Sequence, residues 1–450
     1  MAGTGHLPYG VSALWNAQSL AVVGASDRPG SIGGTVLDHL RRARFRGAVY
    51  PVHPTADTVR GLPAHRTVGD IGERVDLALL VIPAPAVEPT IVDCINAGVA
   101  AIIVTASGFA DSGDTETERR LARRCAEAGV RLLGPNCIGS ANLHSGLVAG
   151  FSPMFTGFDH SRPGGLGVVS HSGGIGFGIA SLAAERGLRP GWVVTTGNEA
   201  DLTAGEVMWV LASLPECTGV VAYLESVPDD SWLQKVAATG KPVAALLSGI
   251  SAAGAAAAVT RSRSGEHSPH LLTRHGIAVT TDIGRLLDGA SLFGTPPVAG
   301  DRIAVVTTSG GAGILAADAV DRSRFRLADL SDRSRGRLSA LLPEFAKITN
   351  PLDVTASVIG DPALLIESLR VLVDDDGCDA VLVSLCVLGE RQAEAAAGVI
   401  AAAAGAKPIV VSRTGADSLS PGLRPLLADA GIGVFSTPDA AVAALDMVRT

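Results

Sequence analysis

Several stretches of this chain place small polar residues where an anion could be held. Gly165-Leu166-Gly167-Val168-Val169-Ser170-His171-Ser172-Gly173-Gly174 reads as an apolar strand, a tight turn and the start of a glycine-rich helix. Backbone N–H groups at a helix start lack intrahelical partners, and the helix dipole adds positive character. Ser170, His171, Ser172, Gly173 and Gly174 are therefore candidates for holding a phosphate. An ordinary strand-to-helix turn that merely needs small residues has the same pattern. The design recurs at Val23-Gly24-Ala25-Ser26, running on to Ile32-Gly33-Gly34, and at Val306-Thr307-Thr308-Ser309-Gly310-Gly311. Three such openings, about 140 residues apart, imply three α/β domains, each beginning with its own strand–turn–helix unit.

The first turn carries glycines at 24, 30, 33 and 34 and a cation at Arg28, so it is longer than a strict GxGxxG. The second strand of a nicotinamide site should end in an acidic residue for the ribose. Here it ends in Tyr50-Pro51-Val52-His53-Pro54, which favours a different nucleotide-bearing ligand. Cys137 follows Asn136 at a strand end without a His–Asp arrangement, so packing with ligand contact is expected, not nucleophilic chemistry. Asp374-Asp375-Asp376 reads as a solvated helix end, and the ten histidines show no ligand spacing, so no metal site is expected.

These turns need sheets to hold them. Of 450 residues, 47% are hydrophobic and only 4% aromatic, which suits parallel sheets buried on both faces by small-residue helices. A net charge of −8 argues against nucleic-acid binding. Six cysteines without a CxxC pair read as reduced thiols of a cytoplasmic protein. No signal peptide and no membrane span are expected. The strands alternate with helices and end in Gly, Ser, Pro or Asn, at the edge where open α/β sheets bind ligands. Domains are predicted at 14–140, 160–293 and 299–450, with 138–163 as a linker and Thr295-Pro296-Pro297 as a second boundary.

Seven motifs in order carry a resemblance. They are Gly24-Ala25-Ser26, Tyr50-Pro51-Val52-His53-Pro54, Ser107-Gly108-Phe109-Ala110, Gly134-Pro135-Asn136-Cys137, Ser170-His171-Ser172-Gly173, Thr196-Gly197-Asn198-Glu199-Ala200-Asp201 and Tyr223-Leu224-Glu225-Ser226. With Thr308-Ser309-Gly310-Gly311-Ala312-Gly313 and Asn350-Pro351-Leu352-Asp353, the chain resembles the α-type subunit of the ADP-forming acyl-CoA synthetases, in the succinyl-CoA synthetase superfamily. The resemblance implies a CoA-binding Rossmann domain followed by two flavodoxin-like domains of doubly wound parallel sheet. It implies CoA held by Gly24, Ala25, Ser26, Arg28, Gly33, Pro54 and Asn136, with an acyl phosphate between Ser107-Gly108 and the 170–174 turn. ATP and Mg would come only through a separate ATP-grasp β-type partner, in a homo- or hetero-oligomer. In the family, a phosphohistidine passes phosphoryl to a small carboxylic acid and CoA attacks the acyl phosphate, with a glutamate, here Glu225, orienting the histidine.

The chain departs from that pattern at one place. The family's Lys-Ser-Gly-Arg strand end is Leu247-Ser248-Gly249-Ile250 here, and the histidine position falls on Arg261. A guanidinium stays protonated and cannot accept phosphoryl, though it suits phosphate geometry. His267 is the substitute should the loop shift. Two readings follow: a variant acyl-CoA synthetase that receives acyl phosphate directly, with Arg261 steadying it, or a catalytically silent CoA- or acyl-CoA-binding regulatory or scaffold subunit. An NAD-linked enzyme is a third reading.

Overall fold

A computed structural model describes residues 9–157, 162–259, 268–354, 363–405 and 407–448. Arg261 and His267 lie outside them. The chain divides into two compact units, Met1–Thr281 and Asp282–Thr450.

The first unit holds two large sheets. One is parallel, with spatial order Ala48–Val52, Ser19–Val23, Leu77–Leu80, Ala101–Val104, Arg131–Leu133. Beyond Ala48–Val52, a lone parallel bridge joins Val52 to His65, a vestigial third strand that completes the Rossmann order 3-2-1-4-5-6. Leu77–Leu80 and Ala101–Val104 are buried throughout, as unbroken apolar runs must be when helices cover both faces. The second sheet runs Ala278–Thr280, Val243–Leu247, Gly219–Leu224, Leu166–Ser170, Pro190–Thr195 in parallel, a flavodoxin-like order.

The stretch 138–163, expected as a linker, extends that second sheet instead. Gly139–Asn142 and Leu147–Gly150 form an antiparallel hairpin, and the first of them pairs with Pro190–Thr195. Turn formers there hid two buried strands whose polar side chains are satisfied from afar. Asn142 Nδ2 donates to Trp15 O at 2.9 Å and Ser140 Oγ to Leu14 O at 3.4 Å, both on the helix Tyr9–Asn16.

The second unit has order Arg326–Leu327, Arg302–Thr307, Ala380–Leu385, Ile409–Arg413, Gly433–Phe435, again flavodoxin-like. Leu352–Asp353 pairs with Arg302–Thr307 too. Asn350 makes room for this by standing in for backbone: its Oδ1 accepts from Val305 N–H at 2.8 Å, and its Nδ2 donates to Ile303 O and Ala328 O at 2.9 Å. The helix Ile283–Ala290, placed by the sequence reading at the end of the second domain, packs on Pro438–Met447 within this unit. The glycine turn is repeated here as well. Thr307 Oγ1 accepts from Ser309 N–H at 3.1 Å, just as Ser170 Oγ accepts from Ser172 N–H at 3.1 Å in the first unit.

The three adjacent acids are not uniformly solvated. Asp374 and Asp376 are exposed, but Asp375 is buried and accepts from Ser331 N–H, Ser331 Oγ and Gly377 N–H. Burial would raise its pKa, yet hydrogen bonds from Ser334, Gly377 and Ser331 prevail and hold the carboxyl below its ordinary value.

Candidate functional site

In the first unit, strand ends from both sheets converge on a cavity of about 370 Å³. Thr105 and Asp111 follow Ala101–Val104, and Asn136 to Ile138 follow Arg131–Leu133. From the second sheet come the His171–Gly174 turn, Gly197 with Asn198, and Glu225. The sequence-predicted turn residues His171, Ser172, Gly173 and Gly174 thus meet Asn136 and Glu225 in one place.

The 170–174 turn is built from local chemistry. Ser170 Oγ donates to Ser172 O at 2.6 Å and accepts from Ser172 N–H, which closes the turn ahead of the helix Gly173–Glu185. Ser172 is the N-cap but its side chain makes no capping bond, so it satisfies none of the first N–H groups of the helix, whose Gly173 and Gly174 line the cavity. Such an end attracts phosphate or carboxylate.

Both ring nitrogens of His171 are engaged by protein groups. Its side chain is buried; Nδ1 accepts from Glu225 N–H at 3.0 Å, and Nε2 lies 3.2 Å from Glu199 Oε1. Because Nδ1 accepts, the ring proton belongs on Nε2, where it is donated to Glu199. Glu199 Oε1 also accepts from Ala204 N–H at 2.6 Å, at the start of the helix Ala204–Ser213. His171 therefore ties its own turn to the strand-end turns that carry Glu199 and Glu225.

A second network joins the two sheets. Asn198 Nδ2 donates to Asp111 Oδ1 at 3.0 Å and Glu118 Oε2 at 2.8 Å, and Asn136 Nδ2 donates to Asn198 Oδ1 at 3.1 Å. Asp111 also accepts from the N–H groups of Gly108 and Phe109. Burial would raise its pKa, but the bonds from Gly108, Asn198 and Phe109 outweigh that and leave it below the ordinary value. Gly108 N–H is consequently spent on Asp111, and Ser107 and Gly108 are exposed and do not line the cavity. Asn136 and Glu199 both have left-handed backbone, φ 58° and 62°, held in place by these bonds. Neither Asp111, Asn198 nor Glu199 was singled out as a site residue from sequence. For Asn198 and Glu199 the usable signal is their place in the Thr196–Asp201 motif just after the strand Pro190–Thr195; Asp111 carries no such signal.

Cys137 lines the cavity, yet its thiol donates to Val104 O at 3.4 Å and burial pushes it up to about 12. At pH 8, iodoacetamide should leave Cys137 of the native protein unlabelled while half-buried Cys386 reacts. Peptide mass spectrometry over a time course checks this.

Comparison with known proteins decides the family. The chain is 31% identical to the acetate–CoA ligase [ADP-forming] II subunit alpha of Pyrococcus furiosus, over 97% of both chains. It belongs to the ADP-forming acyl-CoA synthetases. A CoA-binding domain model matches residues 18–142 and a succinyl-CoA ligase-like flavodoxin domain model matches 163–293. The acetate–CoA ligase [ADP-forming] I of Archaeoglobus fulgidus is 30% identical, and this chain spans 63% of its length. A solved structure of the Ca. Korarchaeum cryptofilum acetyl-coenzyme A synthetase 1, described as a complex with phosphate and ADP, superimposes with a TM-score of 0.86 at 27% identity, over 98% of this chain and 96% of that one.

The acyl-CoA synthetase match includes the first glycine turn. Ser31 caps the helix Ile32–Arg42: its Oγ accepts from Gly34 N–H at 3.2 Å and donates to Ser26 O at 2.8 Å. Ser26 Oγ accepts from Arg28 N–H at 3.2 Å. Any Cβ on Gly33 would lie 2.7 Å from Ala25 Cα, so only glycine lets helix and turn approach this closely. Ala25 and Gly33 are buried, Gly24 and Ser26 half-buried, and Arg28 and Pro54 exposed. A backbone cradle of this kind fits a diphosphate. Among the described residues no group of three or more His, Cys, Asp and Glu could hold a metal, and no helix is long and apolar enough to cross a membrane.

Proposed function

We propose that this chain is the CoA-binding subunit of an ADP-forming acyl-CoA synthetase, in a variant that takes its acyl phosphate without a phosphohistidine of its own. The observation that carries the reading is the cavity itself, where a helix start suited to phosphate faces the strand ends of the CoA-binding sheet. Gly24, Ala25, Ser26, Arg28, Gly33 and Pro54 would hold CoA. The first N–H groups of Gly173–Glu185 would hold the phosphoryl end of the acyl phosphate, with Glu225 beside it and Arg261 as a further cation. The CoA sulfur bonds to the acyl carbon, the carbon–oxygen bond to phosphate breaks, and the thiol proton leaves with inorganic phosphate. The Pyrococcus relative is named as a subunit alpha, which supports a partner subunit, and ATP and Mg would enter through such a partner, of ATP-grasp type. Six unpaired cysteines favour a cytoplasmic setting.

The sequence at 247–263, where Lys, Arg and His of the family pattern are all replaced, favours a second reading as a silent CoA- or acyl-CoA-binding regulatory subunit. Calorimetric titration with CoA, followed by incubation of the chain with CoA and isobutyryl phosphate, separates the two. CoA binding with thioester formed and phosphate released is expected. Binding without thioester turns the assignment to the silent subunit, and absence of CoA binding overturns both.

A further inference from the structure

We propose that the hollow beside the helix Ile32–Arg42 and the strand Ala48–Val52 is a docking surface for an acidic segment of another protein, one that seats a large apolar side chain among its carboxylates. The hollow measures about 260 Å³, and none of its residues lines the cavity where the two sheets meet, so the proposal stands apart from the CoA reading. Leu37 and Leu40 on the helix, Phe45 in the turn after it, Val49 on the strand and Leu62 form its apolar wall. Leu37 and Leu40 are buried, and Phe45 and Val49 pack against the same core cluster, so most of the wall is fixed from behind. Gly47 leaves the Phe45 ring its place, since a Cβ there would run into Phe45 Cζ. Leu62, on the hairpin of Thr58–Val59 and Leu62–Pro63, is 38% exposed. Apolar surface of this kind rimmed by charge marks a contact site. A dry cavity of about 150 Å³ already holds benzene, so a Leu or Phe side chain fits.

Charge names the occupant. Arg41, Arg42, Arg44 and Arg46 crowd one short stretch, all of them exposed, in a chain of net charge −8. The nearby acids are already engaged: Asp38 pairs with Arg41 at 3.1 Å and with Arg60 at 3.4 Å, and Asp27 pairs with Arg60 at 3.2 Å. Arg42 donates to Phe155 O and Thr156 O. Arg44 and Arg46 stand on either side of Phe45 in the chain, and among the described residues no acid pairs with them. Guanidinium groups bind carboxylates through two bonds and are enriched where interfaces gain their energy. A membrane or a nucleic acid presents an extended anionic surface and is repelled by the chain's overall charge. A short acidic segment meets chiefly the charges within about 8 Å, the screening length at physiological salt.

Fluorescence anisotropy of the full chain tests this with a short fluorescein-labelled peptide in which Asp and Glu flank a Leu-Phe pair. It should bind with a Kd on the order of 10 μM, and at least about fivefold more weakly when salt rises from about 50 to about 300 mM. A peptide with Asn and Gln for the acids, and one with Ala for Leu-Phe, should each bind at least about tenfold more weakly. Arg44→Glu with Arg46→Glu should weaken the acidic peptide about tenfold and Leu62→Ser about fivefold. All three side chains are exposed, so the melting temperature should stay within about 2 °C. If a variant fails to fold, the peptide and salt series decide on the unaltered chain. Absence of binding, equal binding of the Asn and Gln peptide, or indifference to the two charge reversals overturns the proposal. Co-sedimentation of the chain with phosphatidylserine vesicles in place of peptide binding gives the patch to a membrane and overturns it as well.

Discussion

Arg131→Ala should lower the melting temperature of the Met1–Thr281 unit by roughly 10 °C. Arg131 opens the last strand of the CoA-binding sheet and reaches two acids beside the flavodoxin-like sheet, Asp201 in a loop and Glu206 on the helix Ala204–Ser213. Its Nε and Nη2 donate to Asp201 at 2.9 and 3.1 Å, and its Nη1 and Nη2 donate to Glu206 at 2.9 Å each. Asp201 also accepts from Leu132 N–H at 2.8 Å, so side chain and backbone are clamped together. The three side chains are 23%, 22% and 12% exposed, dry enough that the pair of acids depends on the guanidinium. Burial alone would lower the Arg131 pKa, and the bonds to Glu206 and Asp201 more than reverse it. Removing the arginine leaves two carboxylates facing each other without their counter-ion, which costs about 3–5 kcal/mol for a well-buried group. Arg131→Lys keeps the charge but loses the fork, so it should recover only part of the loss. Adding Asp201→Asn and Glu206→Gln to Arg131→Ala should restore most of it, because the unpaired charges are then gone. Differential scanning calorimetry of the four proteins reads this directly. A shift of less than about 2 °C for Arg131→Ala would place the clamp among ordinary surface pairs.

That clamp also illustrates what a linear reading misses. The three strand–turn–helix openings were legible because their chemistry is local. Ser172, Gly173 and Gly174 announce a helix start by residue type alone, and the strands either side are short apolar runs. Arg131, Asp201 and Glu206 are charged residues on separate elements, and only the fold reveals that they meet. Ser140 and Asn142 looked like turn formers because their partners, Leu14 and Trp15, lie more than a hundred residues upstream. Asp375 looked solvated because nothing in the residues around it says that Ser331 bonds to it. His171 shows a finer limit. Its type tells that a proton can be donated near the phosphate turn, but not that Glu199 takes that proton while Glu225 N–H occupies the other nitrogen. Residue type constrains what a side chain can do, and long-range pairing decides which of those things it does.

Gly197→Ala should disturb the cavity through the fold that frames it. Gly197 has φ +60°, and a Cβ there would run into Pro135 O and lie 2.7 Å from Asn136 O. Both are backbone atoms of the turn that ends the CoA-binding sheet, and Asn198 N–H and Ala200 N–H donate into that turn at Pro135 O and Gly134 O, 2.9 and 3.0 Å away. A methyl group cannot be absorbed by a side-chain rotation here, so the two turns must separate. The left-handed backbone adds about 1 kcal/mol of its own for a non-glycine residue. Overpacking adds about 1–3 kcal/mol more. The separation strikes the cavity between these turns, breaking the Asn136–Asn198–Asp111 chain of bonds. A displacement near 1 Å between reacting groups costs on the order of a hundredfold in rate. Under the proposed function, Gly197→Ala should therefore cut thioester formation from acyl phosphate by about that factor, while CoA affinity, which that reading assigns to the 24–34 turn, changes less than about threefold. Gly72→Ala supplies the control, since Gly72 has φ +70° with nothing within 4 Å of its Cβ position: it carries the backbone penalty without the clash. If both variants lost activity equally, backbone strain and not the meeting of the two turns would be responsible. If Gly197→Ala lost CoA binding in step with rate, CoA binding and the cavity would be one site and not two adjoining ones.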